Sequence, residues 1–202
     1  MKIQFSNELG LVKLALMDTI AKSDQRRLVS KEQIPCKSGC SGCCSRLVEI
    51  TMAEAVLIYD DLYQKKLWPQ VRVVAKGQAP MIKDIPPMSW FKMNLKCPIL
   101  DQSKQTCLAY PIRPAICSTH FVSSDASMCD PWSSNSNAFK SLDFIDLLIE
   151  FRERASSHIE GYGILSLELP VPTALLLAER INTLSGLSID QVMSIMYSEL
   201  SK

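Results

Sequence analysis

Four cysteines in nine residues, Cys36-x3-Cys40-x2-Cys43-Cys44, constrain this chain more than any other feature. Four more follow at Cys97, Cys107, Cys117 and Cys129, while the first 35 and the last 73 residues hold none. Cysteine used only as a small apolar residue would be spread more evenly. The N-terminus has no uninterrupted apolar core and no small-residue cleavage site. Lys2, Glu8, Lys13 and Asp18 break it up, so no secretory leader is expected. No stretch approaches eighteen consecutive apolar residues, so no membrane span is expected either. The cytosol is then the expected compartment. In that reducing environment clustered cysteines are metal ligands or redox groups more often than disulfide partners.

The first cluster has the chemistry of a soft-metal site. Thiolates are anionic, polarisable donors suited to zinc, iron and iron–sulfur clusters. Gaps of two or three residues let a tight turn aim two sulfurs at one point. Gly39 and Gly42 each precede a cysteine, where close backbone approach or positive φ is needed. Side chains of adjacent residues usually diverge. Cys43 and Cys44 therefore serve two centres, or grip one polynuclear cluster, or one of them does not touch the metal. A single zinc, with four ligands, accounts poorly for eight cysteines. Cys97, Cys107, Cys117 and Cys129 are separated by nine, nine and eleven residues, which by themselves are not ligand spacings. The C-x2-C-x2-C spacing of ferredoxins is absent. His120, three residues after Cys117, offers a nitrogen donor, although an isolated histidine is more often an ordinary packed or exposed one. Spacing leaves open whether Cys129 and His120 join the site, and His158 has no nearby donor.

Along the chain, Leu9, Val12, Leu16, Met17 and Ile20 recur at three- and four-residue steps and predict a helix from about Asn7 to Val29. Thr51-Met52-Ala53-Glu54 matches a capping box and predicts a helix over about Met52 to Leu67. Pro80, Pro86 and Pro87 predict an irregular connection over Gln78 to Ser89. Cys97-Pro98-Ile99-Leu100 and Thr106 to Tyr110 flank a polar stretch and predict a short hairpin. Pro114 at a first helical position predicts a short helix through Cys117. Ser123 to Asn137 reads as a loop. The last third reads as all helix, with segments Phe139 to Arg154 and Pro172 to Leu184, and a second capping box at Ser188 to Gln191. The fold class is therefore mainly α: a helical domain with a loop-rich, metal-stapled cysteine-cluster centre and a short β-hairpin. One domain over 1–202 is expected, with a metal-binding core at 34–131 and a C-terminal helical extension at 138–202.

At the level of motifs the chain resembles the YkgJ-type cysteine-cluster family of zinc- or iron-chelating domains. The resemblance rests on Cys36-Lys-Ser-Gly-Cys40-Ser-Gly-Cys43-Cys44, then Cys97-Pro98-Ile-Leu-Asp101, Cys107-Leu-Ala-Tyr110 and Arg113-Pro114-Ala-Ile-Cys117. It covers roughly residues 34–131 and implies that these cysteines chelate metal. After Cys117 the chain departs from the family's basic or aromatic-flanked pattern and reads Ser118-Thr119-His120-Phe121. Flagellin lysine-N-methylases carry a related cluster, for which an iron–sulfur centre is implied.

The expected function is a metal-binding protein that holds an iron–sulfur cluster, or zinc or iron ions, through Cys36, Cys40, Cys43, Cys44, Cys97, Cys107, Cys117 and Cys129. The alternative is a cluster-dependent enzyme, a methyl- or redox-transferase, by the methylase resemblance. No glycine-rich phosphate loop and no nucleophile–histidine arrangement stands out, so catalytic residues are not assigned. A net charge of +1, from 22 basic and 21 acidic residues, gives no electrostatic reason to expect nucleic acid or a membrane surface. A protein partner docking on the C-terminal helices is compatible with the sequence. Arg113 is expected to neutralise thiolate charge or to pair with an acid such as Asp101. Tyr110 is expected to pack, and Trp68, Trp90 and Trp132 to cover the core or the site.

Overall fold

The computed structural model describes residues 6–129, 132 and 140–183. Helix α1 (Ser6–Val29) buries Leu9, Val12, Leu16 and Ile20 on one face, as their spacing dictates, whereas Met17, expected with them, falls one position off that face and is 47% exposed. That face meets α5 (Ala115–Thr119) and α6 (Ile145–His158), whose Phe151 is fully buried. Charges border the α1–α6 seam: Lys22 Nζ lies 2.6 Å from Glu150 and 3.0 Å from Asp18, and Arg154 also contacts Asp18. These pairs are well exposed and set orientation more than stability.

A second layer is formed by α2 (Met52–Gln64), α3 (Trp68–Gln78) and α7 (Val171–Thr183). Lys66 has φ +60°, so the chain breaks after α2 and α3 begins at Trp68, where one helix to Leu67 was expected. Glu179 on α7 binds α3 twice, accepting from Trp68 Nε1 and Arg72 Nε at 2.8 Å each. One hydrophobic cluster runs from Leu9 through Met52 and Phe151 to Ile181 and joins both layers.

Among the described residues, three short antiparallel pairs tie loops to this framework. Strand β1 (Glu49–Thr51) pairs with β6 (Glu168–Pro170). Strands β2 (Leu100–Asp101) and β3 (Thr106–Cys107) form the expected hairpin, with Leu100 opposite Cys107. Strand β4 (His120–Val122) pairs with β5 (Ser141–Asp143), placing His120 opposite Asp143. Strands β5 and β6 correct the all-helical reading of the last third. Ser141–Asp143 completes a ladder with β4, and α6 starts only at Ile145. The span Gln78 to Ser89 is also more ordered than its prolines suggested. A 3-10 turn occupies Ala79–Lys83, and Pro87 opens helix α4 (Pro87–Lys92), as a residue with no N–H to satisfy can. The capping box expected at Ser188 to Gln191 lies outside the described residues.

Candidate metal centre

Each cysteine segment is positioned by a local device. In the first, the Cys40 N–H donates to the Lys37 carbonyl at 3.0 Å across a turn in which Gly39 has φ +93°, a conformation side-chain-bearing residues resist. A 3-10 turn over Gly42–Ser45 follows, closed by Cys44 N–H to Ser41 and Arg46 N–H to Cys43, both at 3.0 Å. This turn places both neighbouring cysteines, Cys43 and Cys44, on the same cavity wall. Both residues line one cavity, so both are available to a polynuclear centre there.

The second segment is bound to the first through backbone. The Cys97 N–H donates to the Cys44 carbonyl at 2.7 Å, and Lys96 Nζ reaches Ser45 Oγ at 2.8 Å. The hairpin carries Cys107 opposite Leu100. Helix α5 delivers Cys117, and its start is fixed by a residue far away in sequence. Glu54 is 3% exposed and completes the capping box of α2, accepting from the Thr51 N–H at 2.9 Å and the Thr51 hydroxyl at 2.8 Å. Its other oxygen accepts the Ala115 N–H at 2.8 Å, so one carboxyl caps both α2 and α5. Arg113 is held by Asp24 of α1 at 2.9 Å and lies over the Tyr110 ring. Asp101, its expected partner, instead accepts from Ser103 and Lys104 within its own turn. Trp68 and Trp90 are buried, whereas Trp132 is 71% exposed and does not cover the core.

All eight cysteines are unpaired and line one cavity of about 110 Å3. His120 and Arg113 also line it. Among the described residues no Asp or Glu contributes to that lining, so the donor set is soft and suits zinc, iron or iron–sulfur rather than magnesium or calcium. Among the described residues no three potential ligands yet close on a single point. The thiols ring a space with more room than the roughly 30 Å3 that one water occupies in the liquid. Cys129, the cysteine whose participation spacing left open, is on this cavity and buried, in a 3-10 turn at Ala126–Cys129. It packs so closely on Gly42 that a Cβ there would lie 2.4 Å from the Cys129 Cβ.

Residues 35–140 match the CxxCxxCC family, described as "Putative zinc- or iron-chelating domain". The chain belongs to the CxxCxxCC family. No curated protein and no solved structure matches it. Metal chelation through the cysteine cluster is what membership of the CxxCxxCC family carries. In this chain the first gap is three residues, Lys37-Ser38-Gly39, and the turn there has positive φ at Gly39.

Electrostatics divides the thiols. Cys43 is lowered, chiefly by its coupling to the neighbouring Cys44 thiol, with the Arg46 guanidinium adding positive charge. The same coupling holds Cys44 far in the other direction. Burial pushes Cys97 up to about 12, aided by neighbouring Cys107, and pushes Cys129 up to about 11. Cys36 and Cys107 are raised by burial as well. Cys117 is packed among protein atoms that raise it strongly, yet its surface is open to solvent, and that opening governs its access to reagents.

The opening is a cleft of about 590 Å3 that shares Cys43, Cys117, His120 and Arg46 with the cysteine cavity. Its other walls carry Phe91 and Met88 of α4, together with Arg152 and Glu168, which pair at 2.9 Å. Asp143, the second role of Glu54 and this cleft were missed by the sequence reading. Only the Thr51-x-x-Glu54 pattern gave a signal, and it spoke for α2 alone.

Proposed function

We propose that this chain holds a polynuclear metal centre, an iron–sulfur cluster or more than one zinc or iron ion, with Cys36, Cys40, Cys43, Cys44, Cys97, Cys107, Cys117 and Cys129 as its pool of ligands. The observation that carries the reading is convergence. Eight thiols from separate segments line one cavity, the adjacent Cys43 and Cys44 both among them. Bound metal would supply Lewis-acid or electron-transfer chemistry. The chain's own contribution is to hold the thiols, to admit solvent through the cleft beside Cys117, and to offset thiolate charge with Arg46 and Arg113. Thiols raised by burial must lose protons as metal enters, so binding releases protons and strengthens with pH. The unpaired state of the cysteines supports a reducing compartment, the cytoplasm. No helix among the described residues is long and apolar enough to cross a membrane. The test is replacement of Cys40 and Cys43 by alanine in anaerobically purified protein. The bound metal should fall; retention of the full amount would overturn the assignment.

The cleft favours a second reading, a cluster-dependent methyl- or redox-transferase, by the resemblance to flagellin lysine-N-methylases. A cleft of about 590 Å3 opening directly on Cys43 and Cys117 has the size of a small-molecule site. Isothermal titration of S-adenosylmethionine into the metallated protein should give a saturable heat if the methyl-transfer version holds. Absence of heat would eliminate that version.

A further inference from the structure

We infer that His120, oriented by Asp143, is a nitrogen ligand of the metal centre, bound through Nε2 at the wall between the cysteine cavity and the cleft. The inference rests on the metal-centre reading above and adds a donor of a different kind to it. Three observations converge on this residue. First, His120 Nδ1 lies 2.5 Å from Asp143 Oδ1, an arrangement built by strand register, since the two residues are direct partners across the β4–β5 ladder. Phe144 N–H to Thr119 at 2.9 Å and Ser123 N–H to Lys140 at 3.1 Å fix the ladder at both ends. Second, Nε2 is buried and has no hydrogen-bond partner. Third, the ring lines both the cysteine cavity and the cleft, together with Cys43 and Cys117.

These are the features a metal-bound imidazole needs. A carboxylate that accepts a hydrogen bond from Nδ1–H fixes the tautomer, leaves the Nε2 lone pair outward, and raises its basicity. A buried ring nitrogen left without a partner is costly unless something occupies the space it faces. The surrounding strand serves the same site: two residues on, the Val122 N–H donates to Cys36 Sγ at 3.3 Å. Strand β4 thus places one nitrogen donor and steadies one sulfur. A mixed sulfur and nitrogen set would make the metal beside the cleft different from any held by sulfur alone.

The probe is Co2+ loaded anaerobically into the full-length chain, read by X-ray absorption and by thiolate-to-cobalt charge-transfer bands. The wild-type protein should show the outer-shell scattering of an imidazole together with sulfur, and His120→Ala should lose the imidazole signal while keeping the sulfur bands. Asp143→Asn, which leaves the ligand itself in place, should weaken Co2+ affinity about 10–100-fold. The wild-type spectrum needs no variant to fold. Cobalt bound by sulfur with no imidazole scattering would overturn this inference and leave the thiolate centre standing. Failure to bind cobalt through sulfur at all would overturn the thiolate centre and this inference with it.

Discussion

Gly42 should be irreplaceable because of Cys129. An alanine Cβ at position 42 would lie 2.4 Å from the Cys129 Cβ, 3.4 Å from its carbonyl carbon and 3.5 Å from its Cα. Carbon atoms rest at about 3.5–4.0 Å, so the two turns must separate by an ångström or more. The obstructing atom is attached directly to backbone and cannot rotate away. Overpacking of this kind costs about 1–3 kcal/mol, and in a chain of this size each kcal/mol lowers the melting temperature by about 2–4 °C. Gly42→Ala should therefore melt several degrees low in the metal-free protein and lose metal that depends on Cys129. Two second-site changes isolate the cause. Cys129→Ala removes the sulfur but keeps the Cβ, so it should not rescue Gly42→Ala; Cys129→Gly removes the Cβ and should. Paired melts of the single and double variants give the coupling directly. If Gly42→Ala melts with the wild type, or if Cys129→Ala rescues as well as Cys129→Gly, the steric reasoning is wrong. Gly39→Ala is the contrast: nothing lies within 4 Å, and the penalty comes from φ +93° alone, worth about 1–2 kcal/mol.

Other perturbations reach the site from outside it. Glu54→Ala removes the acceptor of three hydrogen bonds and strands the Ala115 N–H, and it should cost about 3 kcal/mol or more in urea melts, with α5 and Cys117 loosened. Burial raises the Glu54 carboxyl above its ordinary 4.5. The folded chain therefore binds this proton more tightly than the unfolded chain does. That contribution to stability is complete below the ordinary value and is lost as pH rises through the folded value, so removing the titrating carboxyl should flatten the profile there. Arg113→Lys keeps the charge but not the planar contact over Tyr110 at 4.4 Å or the Asp24 pair at 2.9 Å; a loss of about 1–3 kcal/mol is expected. In metal-free protein, Cys43, which its neighbour lowers, should alkylate faster at neutral pH than Cys97 and Cys129, which burial raises. Peptide mapping that shows Cys43 modified no faster than those two would contradict the coupling to Cys44.

How much could be read in advance follows the range of each interaction. Helix α1 was legible because Leu9, Val12, Leu16 and Ile20 repeat locally, and the hairpin because Cys97 and Cys107 flank a polar turn. The Gly39 turn was legible because positive φ has few other tenants. Pairings across long sequence separations were not. Glu54 meets Ala115 across 61 residues, and Arg113 meets Asp24 across 89. Asp101, a closer acid to Arg113 in sequence, was the wrong partner because its oxygen is already engaged by its own turn. Asp143 was hidden inside a segment with helical periodicity, since three residues of ladder leave too weak a two-residue alternation to compete with the fourteen-residue helix behind them. The cysteines were legible as soft donors by residue type, while their arrangement around one cavity depends on Cys97 being bound to the Cys44 carbonyl.

Anaerobic purification followed by metal and acid-labile sulfide analysis and a visible spectrum on one sample tests the central claim most directly. A polynuclear thiolate centre predicts either iron with matching labile sulfide and broad visible absorption, or more than one zinc or iron ion per chain lost on replacing Cys40 and Cys43. A chain that carries no metal, or only a single ion that survives loss of both cysteines, would contradict it.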